Sequence, residues 1–260
     1  MPRTRNNGGT KGEIQCIKHC FENRNNSEWC KKHFNEPNRI QVIDLVTKKV
    51  IQNIEDIKEN QAPNKYKADV LIRLETSGEI LSLSIKTTNC AAYAVMNHTH
   101  RNANAFQKKF VEDLPTLDKI IKFYLEKRIA GEYGEDVHLH KLFKDLNCGD
   151  KYKDLWMKLI TYFTFSGTGK GPSEAPADSI LLWNGNNIKF ISCKTQQQKE
   201  DYIESLLSQD LYLITMSIRA PPKGMPRHND NHVPWIFKHH KKDGTVKIKG
   251  ALHIRIEKKK

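Results

Sequence analysis

A mixed α/β fold is what the sequence predicts, and three observations predict it. Residues 68–88 read ADVLIRL, ETSGE, ILSLSIKTT, and residues 178–194 read DSILLW, NGNN, IKFISCK. Each places a turn between two runs rich in β-branched and aliphatic residues, the pattern of a β-hairpin. Between them, Leu117, Ile120, Ile121, Tyr124 and Leu125 recur at helical spacing within 114–129, which predicts an amphipathic helix. Helices and strands that alternate in this way build mixed α/β architectures.

Taken in order, residues 1–12 (MPRTRNNGGTKG) have no apolar periodicity and predict a flexible or DNA-tracking arm. Residues 13–38 hold a Cys/His cluster closed by Pro37. The apolar residues of 40–57 fit a short strand or two followed by a helix. The Asn, Pro and Lys of 59–67 mark a loop. After the first hairpin and the 114–129 helix comes a second helix over about 152–163. The glycine-rich FSGTGKGPSEAP leads as a loop into the second hairpin. A helix near 199–208, a strand near 211–218, a Pro/His-rich loop and a basic terminal hairpin complete the chain. The expected division is a small N-terminal element, 1–38, and a main domain, 39–260.

The chain has 43 Lys and Arg against 30 Asp and Glu, a formal net charge of +13, and a pI near 9.4. Such a surplus attracts polyanions, because Lys and Arg gain affinity by neutralising phosphates and releasing counterions. Nucleic acid is therefore the expected partner. The mean hydropathy is −0.67 and no apolar run approaches the roughly 20 residues of a membrane span. Met1 to Gly12 is polar and basic with no apolar stretch behind it, so a cytoplasmic, membrane-free protein is expected.

Three of the six cysteines fall close together, as Cys16-x3-Cys20-x9-Cys30-x2-His33. Three thiolates and an imidazole are the ligand set of closed, tetrahedral structural Zn²⁺ sites. The pairs predict a turn and a helix start that contribute two ligands each, and His19 is an alternative to either cysteine of the first pair. The segment also resembles the short zinc knuckles, ending in Cys-x2-His-aromatic, that accompany many phage and bacterial nucleases.

In the first hairpin, Ser82, Ser84 and Lys86 share one parity and Leu81, Leu83 and Ile85 the other, so one face is polar and the other core. Asp69 starts the first strand and Lys86 lies near the end of the second. This arrangement resembles the PD-(D/E)XK nuclease motif, in which an acid on one strand and an acid-x-Lys on the next meet across a hairpin. Asp69 matches the first acid and Lys86 the lysine, while Ser84 stands where the second acid belongs. Neutral polar residues at that place are a feature of some type II restriction endonucleases, which the SIKTTN run resembles.

The resemblance implies a restriction-endonuclease-like central mixed sheet flanked by helices and a site-specific endonuclease acting on double-stranded DNA. A non-catalytic zinc-containing DNA- or RNA-binding protein and a repair or junction nuclease are the rivals. Asp69 would hold a catalytic Mg²⁺, a hard cation that prefers oxygen ligands. Lys86 would orient the attacking water and offset negative charge. Ser84, its backbone carbonyl or that of Ile85 could add a ligand, and Glu13, Glu75 and Glu79 are substitute acids, Glu79 weakened by its parity. A palindromic target would suit a homodimer.

Asp178-x13-Ser192-x-Lys194 repeats nearly the same pattern in the second hairpin and is the runner-up site. His98, His100, Arg101 and Asn104 of NHTHRNANAF, together with Lys170, Gln196 and Gln197 of the GTGKG and KTQQQ loops, are candidate DNA contacts. Glycine lets backbone approach phosphate, and Gln can read adenine in the major groove. SGTGKGPS lacks the spacing of a P-loop. NHVP resembles the start of an HNH motif, but too little chain follows for that motif's helix and last ligand.

Overall fold

The computed structural model describes residues 8–58, 65–88, 94–98, 109–134, 136–147, 150–168, 171–207, 211–217, 237–240 and 246–256. They fall into two compact units. The first takes in residues 1–93, 164–168 and 172–202, the second 94–163, 169–171 and 203–260.

The first unit opens with two helices, α1 (Gly8–Asn23) and α2 (Ser27–Phe34). Asn26 caps α2 by accepting the Trp29 N–H at 3.1 Å, which satisfies one of the donors a helix start leaves bare. Asn35 ends it in the left-handed conformation at φ 54°, a role Asn tolerates almost as well as Gly. Strands β1 (Ile40–Ile43), β2 (Val70–Leu74) and β3 (Ile80–Thr87) follow. They form an antiparallel meander, with Ile40 opposite Leu74 and Val70 opposite Leu83. The expected helix within 40–57 is only a 3-10 turn, Ile54–Asp56. Gly78 supplies the positive φ of 71° that the β2–β3 turn requires, and Leu74 and Glu79 close that turn backbone to backbone at 2.8 Å.

The second hairpin, β8 (Ser179–Trp183) and β9 (Ile188–Ser192), completes the sheet. β8 runs parallel to β3, Ser84 facing Ile180, and antiparallel to β9. The order β1-β2-β3-β8-β9 is a mixed five-stranded sheet, flanked by helices as expected. A small two-stranded piece, β6 (Gly167–Thr168) and β7 (Gly171–Pro172), precedes it, and a helix, Gln196–Leu207, follows it.

One face of the sheet is covered by α1 and α2. Cys16, Ile17, Cys20 and Phe21 of α1 and Cys30 and Phe34 of α2 share an apolar core with Val70, Ile72, Leu81, Leu83, Ile85 and Leu181. The N-terminal helices are thus part of the first unit's core rather than an appendage ending at residue 38. α1 also reaches back to Gly8, five residues into the stretch expected to be a flexible or DNA-tracking arm. The opposite face buries Ile43, Leu45, Ala68, Leu71 and Ala175.

In the second unit, α3 (Leu114–Ile129) forms where its periodicity predicts it. Leu117, Ile120, Ile121 and Tyr124 are buried on one face. α4 (Leu139–Asp145) and α5 (Asp150–Thr161) follow, the latter running into a π-helical turn at Tyr162. Phe110 packs edge-on against Tyr162 at 5.2 Å between ring centres. A second sheet joins β5 (Asp136–His138), β10 (Leu211–Ser217), β12 (Val246–Ile256) and β11 (Phe237–His240), with β4 (Ala94–His98) pairing along β12. The last two C-terminal strands are the basic hairpin the sequence predicts.

Candidate active site

Asp69 sits where the β2–β3 ladder breaks. Its backbone N–H donates to the Leu83 carbonyl at 2.7 Å, and its Oδ2 accepts the Ile85 N–H at 2.7 Å. A carboxylate has thereby replaced a backbone carbonyl as the partner of β3. The strands part at this point, and the carboxylate is held there in one orientation.

Ser84 lies between those two bonds and is 1% exposed. Its Oγ makes no hydrogen bond of ordinary geometry among the described residues, yet the hydroxyl is close enough to Asp69 to favour the charged carboxylate. Lys86, two residues on and partly buried, adds its positive charge to the same effect. Ser84 and Lys86 thus both act on the Asp69 carboxylate. Burial outweighs these partners and pushes the Asp69 carboxyl above its usual range.

A second carboxylate comes from α1. Glu13 begins the stripe that continues through Cys16, Ile17, Cys20 and Phe21, positions one turn apart on a single helix face. The stripe faces the sheet, so its first, polar member is drawn in beside β3. Gly12 makes that approach available, because a Cβ there would stand 2.3 Å from Cγ2 of Thr87. Burial, then the negative charge of Asp69, pushes the Glu13 carboxyl up to about 7, while Lys86 and Lys67 pull the other way. Of the three substitute acids, Glu13 is the one brought to Asp69. Glu75 is paired with Arg39 at 2.5 Å, and Glu79 with Lys194 at 2.5 Å.

Lys67 is the residue that sequence reasoning missed. Its segment is tied to residues 173–175. The Lys67 N–H donates to Ala175 O at 3.0 Å and to Ser173 Oγ at 2.8 Å, and the Ala68 N–H also donates to Ala175 O. The Lys65 side chain pairs with Glu174. Burial, then the charge of Lys86, lowers the Lys67 amine to about 7, against the pull of Asp69 and Glu13. Two carboxylates and two lysines thus share one partly buried corner of the sheet.

The second hairpin is built differently. Both oxygens of Asp178 accept the Ser82 N–H, at 3.0 and 3.1 Å, and the Asp178 N–H returns a bond to Ser82 O at 2.9 Å. Lys194 is near enough to favour the charged form of Asp178, but its Nζ pairs with Glu79 at the surface. Ser192 is partly buried on β9. Asp178 serves to seat β8 against β3, and the acid whose charge reaches it, Glu79, is tied to Lys194.

No family model, no curated protein and no solved structure matches the chain.

The zinc-binding group is not seen. Among the described residues no three or more His, Cys, Asp or Glu side chains are grouped to hold a metal ion. Cys16 and Cys20 are one turn apart on a single helix instead of on a turn. Both are buried, as is Cys30. A hydrogen bond with Cys20 that favours its protonated form, together with burial, raises the Cys16 thiol, and burial raises that of Cys30. The His33 ring is bonded to the Ile188 backbone and packs on Trp29 at 4.9 Å, while His19 lies between Trp29 and Trp183.

Of the expected DNA contacts, Gln196 and Gln197 are exposed and bonded to Glu200 at 2.7 Å and Asp201 at 2.8 Å. Both begin the helix Gln196–Leu207, which starts earlier than its periodicity predicts. His98 ends a strand of the second unit. His100, Arg101, Asn104 and Lys170 lie outside the described residues.

Proposed function

We propose that the chain is a divalent-metal-dependent endonuclease that hydrolyses phosphodiester bonds in double-stranded DNA, in the manner of a type II restriction enzyme. The observation that carries the reading is the electrostatic coupling of Glu13, Asp69, Lys67 and Lys86, in which the Glu13 carboxyl feels the Asp69 charge and both carboxyls feel the two lysines. Crowded, partly buried carboxylates repel one another, and a hard divalent cation relieves that repulsion with the oxygen ligands it prefers. Glu13 takes the place of the second acid that Ser84 cannot supply.

Asp69 and Glu13 would hold Mg²⁺, with the backbone carbonyl of Ser84 or Ile85 as a further oxygen. The bound ion would stabilise charge on the transferring phosphate and help acidify a water. The residues do the rest. Asp69 is fixed by Ile85 through one oxygen, which leaves the other, beside Ser84, for the ion. Lys86 is poised to orient a water by hydrogen bonding and to offset negative charge on the phosphate. The formal charge of +13 would draw the polyanion in.

Zinc binding by Cys16, Cys20, Cys30 and His33 is a separate proposal. The donor types and the nearness of Cys20 to Cys16 and Cys30 support it. Assembly could keep one ring nitrogen of His33 on the Ile188 backbone and use the other for zinc, and the zinc content of purified protein decides it.

The function is tested by digesting a long mixed-sequence DNA with and without Mg²⁺ and sequencing the ends. Discrete, Mg²⁺-dependent ends support restriction. A smear means a nonspecific nuclease, and intact DNA that is nevertheless bound favours a non-catalytic binding protein.

A further inference from the structure

We propose that Lys67 is a second working lysine of this site, one that contacts the scissile phosphate and neutralises the charge that develops there. The proposal rests on the nuclease reading and adds to it a residue that the hairpin motif does not contain.

Position argues for it first. Lys67 precedes Asp69 by two residues in a segment without regular structure, where a lysine would ordinarily extend into solvent. Here its backbone is clamped by donated bonds to Ala175 O and Ser173 Oγ. Ser173 Oγ in turn donates to Lys65 O at 3.2 Å and accepts the Ala175 N–H at 3.1 Å. The clamp leaves the side chain partly buried, with Lys86, Asp69 and Glu13 as the charges it feels most. Holding two ammonium groups together away from bulk water costs free energy. Folding alone gives no reason for that cost, since Lys86 by itself would serve Asp69.

Charge balance supplies a reason. The carboxylates of Glu13 and Asp69 cancel a divalent ion. Lys86 then matches the single negative charge of a phosphodiester. As a water oxygen bonds to phosphorus and gives its proton to solvent, a second negative charge builds on the phosphate oxygens. It is discharged when the bond to the sugar oxygen breaks and that oxygen takes a proton. Lys67 is the cation left to meet the second charge. An interaction that strengthens only in the transition state raises kcat and leaves substrate binding nearly untouched.

The test compares the wild-type chain with Lys67→Met, Lys67→Arg and Asp69→Asn, each checked for a native circular-dichroism spectrum. With duplex DNA and Mg²⁺, Lys67→Met is expected to lose about 10²–10³-fold in kcat with little change in KM, and Lys67→Arg to recover part of the loss. Unchanged kcat in Lys67→Met, or a loss confined to KM, overturns the proposal. A second readout needs no turnover. Mn²⁺ titrated at one fixed pH should bind Lys67→Met with an affinity different from wild type, because a neighbouring cation has gone. Equal Mn²⁺ affinity removes Lys67 from the site whatever the activity. If wild type does not cleave, or Asp69→Asn cleaves as well as wild type, the nuclease reading itself fails, and the Mn²⁺ comparison still decides whether Lys67 belongs with Glu13 and Asp69.

Discussion

The side-chain carboxylate of Asp69 accepts the backbone N–H of Ile85 at 2.7 Å, in the place where a β-ladder would supply a carbonyl. One side chain thus has a structural duty to β3 and a second oxygen for chemistry, and substitution can separate the two. Asp69→Asn keeps an oxygen for Ile85 and sheds a charge that burial penalises, so its melting temperature should equal or exceed that of wild type. Asp69→Ala leaves the Ile85 N–H bare and should cost about 1–3 kcal/mol. Both should lose cleavage. Thermal melts and nuclease assays on the pair check this, and an Asn variant as unstable as the Ala variant would contradict it.

Glu13 makes metal binding depend on pH. Burial and Asp69 push its carboxyl up to about 7, so below that pH an incoming cation must displace a proton. Divalent-ion affinity should rise by up to about tenfold per pH unit as pH climbs toward 7, then level off. Calorimetric titration in buffers of different ionisation enthalpy should register proton release below 7 and little above. Glu13→Gln should bind more weakly with a flatter profile. A wild-type affinity independent of pH between 5 and 8 would be inconsistent with this placement.

Gly12 sets how closely α1 approaches β3. Alanine normally improves a helix interior by about 1 kcal/mol over glycine, but here its Cβ would meet Cγ2 of Thr87 at 2.3 Å. Gly12→Ala should therefore destabilise by about 1–3 kcal/mol through overpacking and weaken divalent-ion binding by moving Glu13. Adding Thr87→Ala removes the colliding methyl and should recover most of both losses. Chemical denaturation of the single and double variants measures the coupling, and simple additivity would argue against it.

The second hairpin supplies the opposite expectation. Asp178 spends both oxygens on the Ser82 N–H, so Asp178→Ala should lower stability by about 1–3 kcal/mol while the folded fraction keeps its cleavage rate. Lys194→Ala breaks a surface pair with Glu79 and should cost less than about 1 kcal/mol. Cleavage lost from folded Asp178→Ala protein would move the active site to that hairpin.

Local patterns carried the parts of this molecule that local physics determines. The alternation in ILSLSIKTT foretold both the β2–β3 pairing and the shared face of Ser84 and Lys86, and the α3 periodicity gave its bounds. Glu13 was harder to place, because half of the apolar stripe behind it is cysteine. Cys16 and Cys20 invite reading as ligands, whereas packed against Leu83 and Ile85 they act as small apolar residues. The GGTKG start also carries little helix propensity, so α1 forms by burying its stripe rather than by local preference. Lys67 could not be read at all. Its position depends on Ser173 and Ala175, more than a hundred residues away in the chain, and no short-range pattern encodes such a clamp.

Cleavage of duplex DNA by wild type, Glu13→Gln, Asp69→Asn and Lys86→Ala, with Mg²⁺ and with chelator, tests whether Glu13 and Asp69 jointly hold a divalent ion at the β2–β3 hairpin to cut DNA. Mg²⁺-dependent cutting is expected from wild type, with each variant folded and slower by about 10²-fold or more. Cleavage that persists in Asp69→Asn, or that needs no divalent ion, would contradict it.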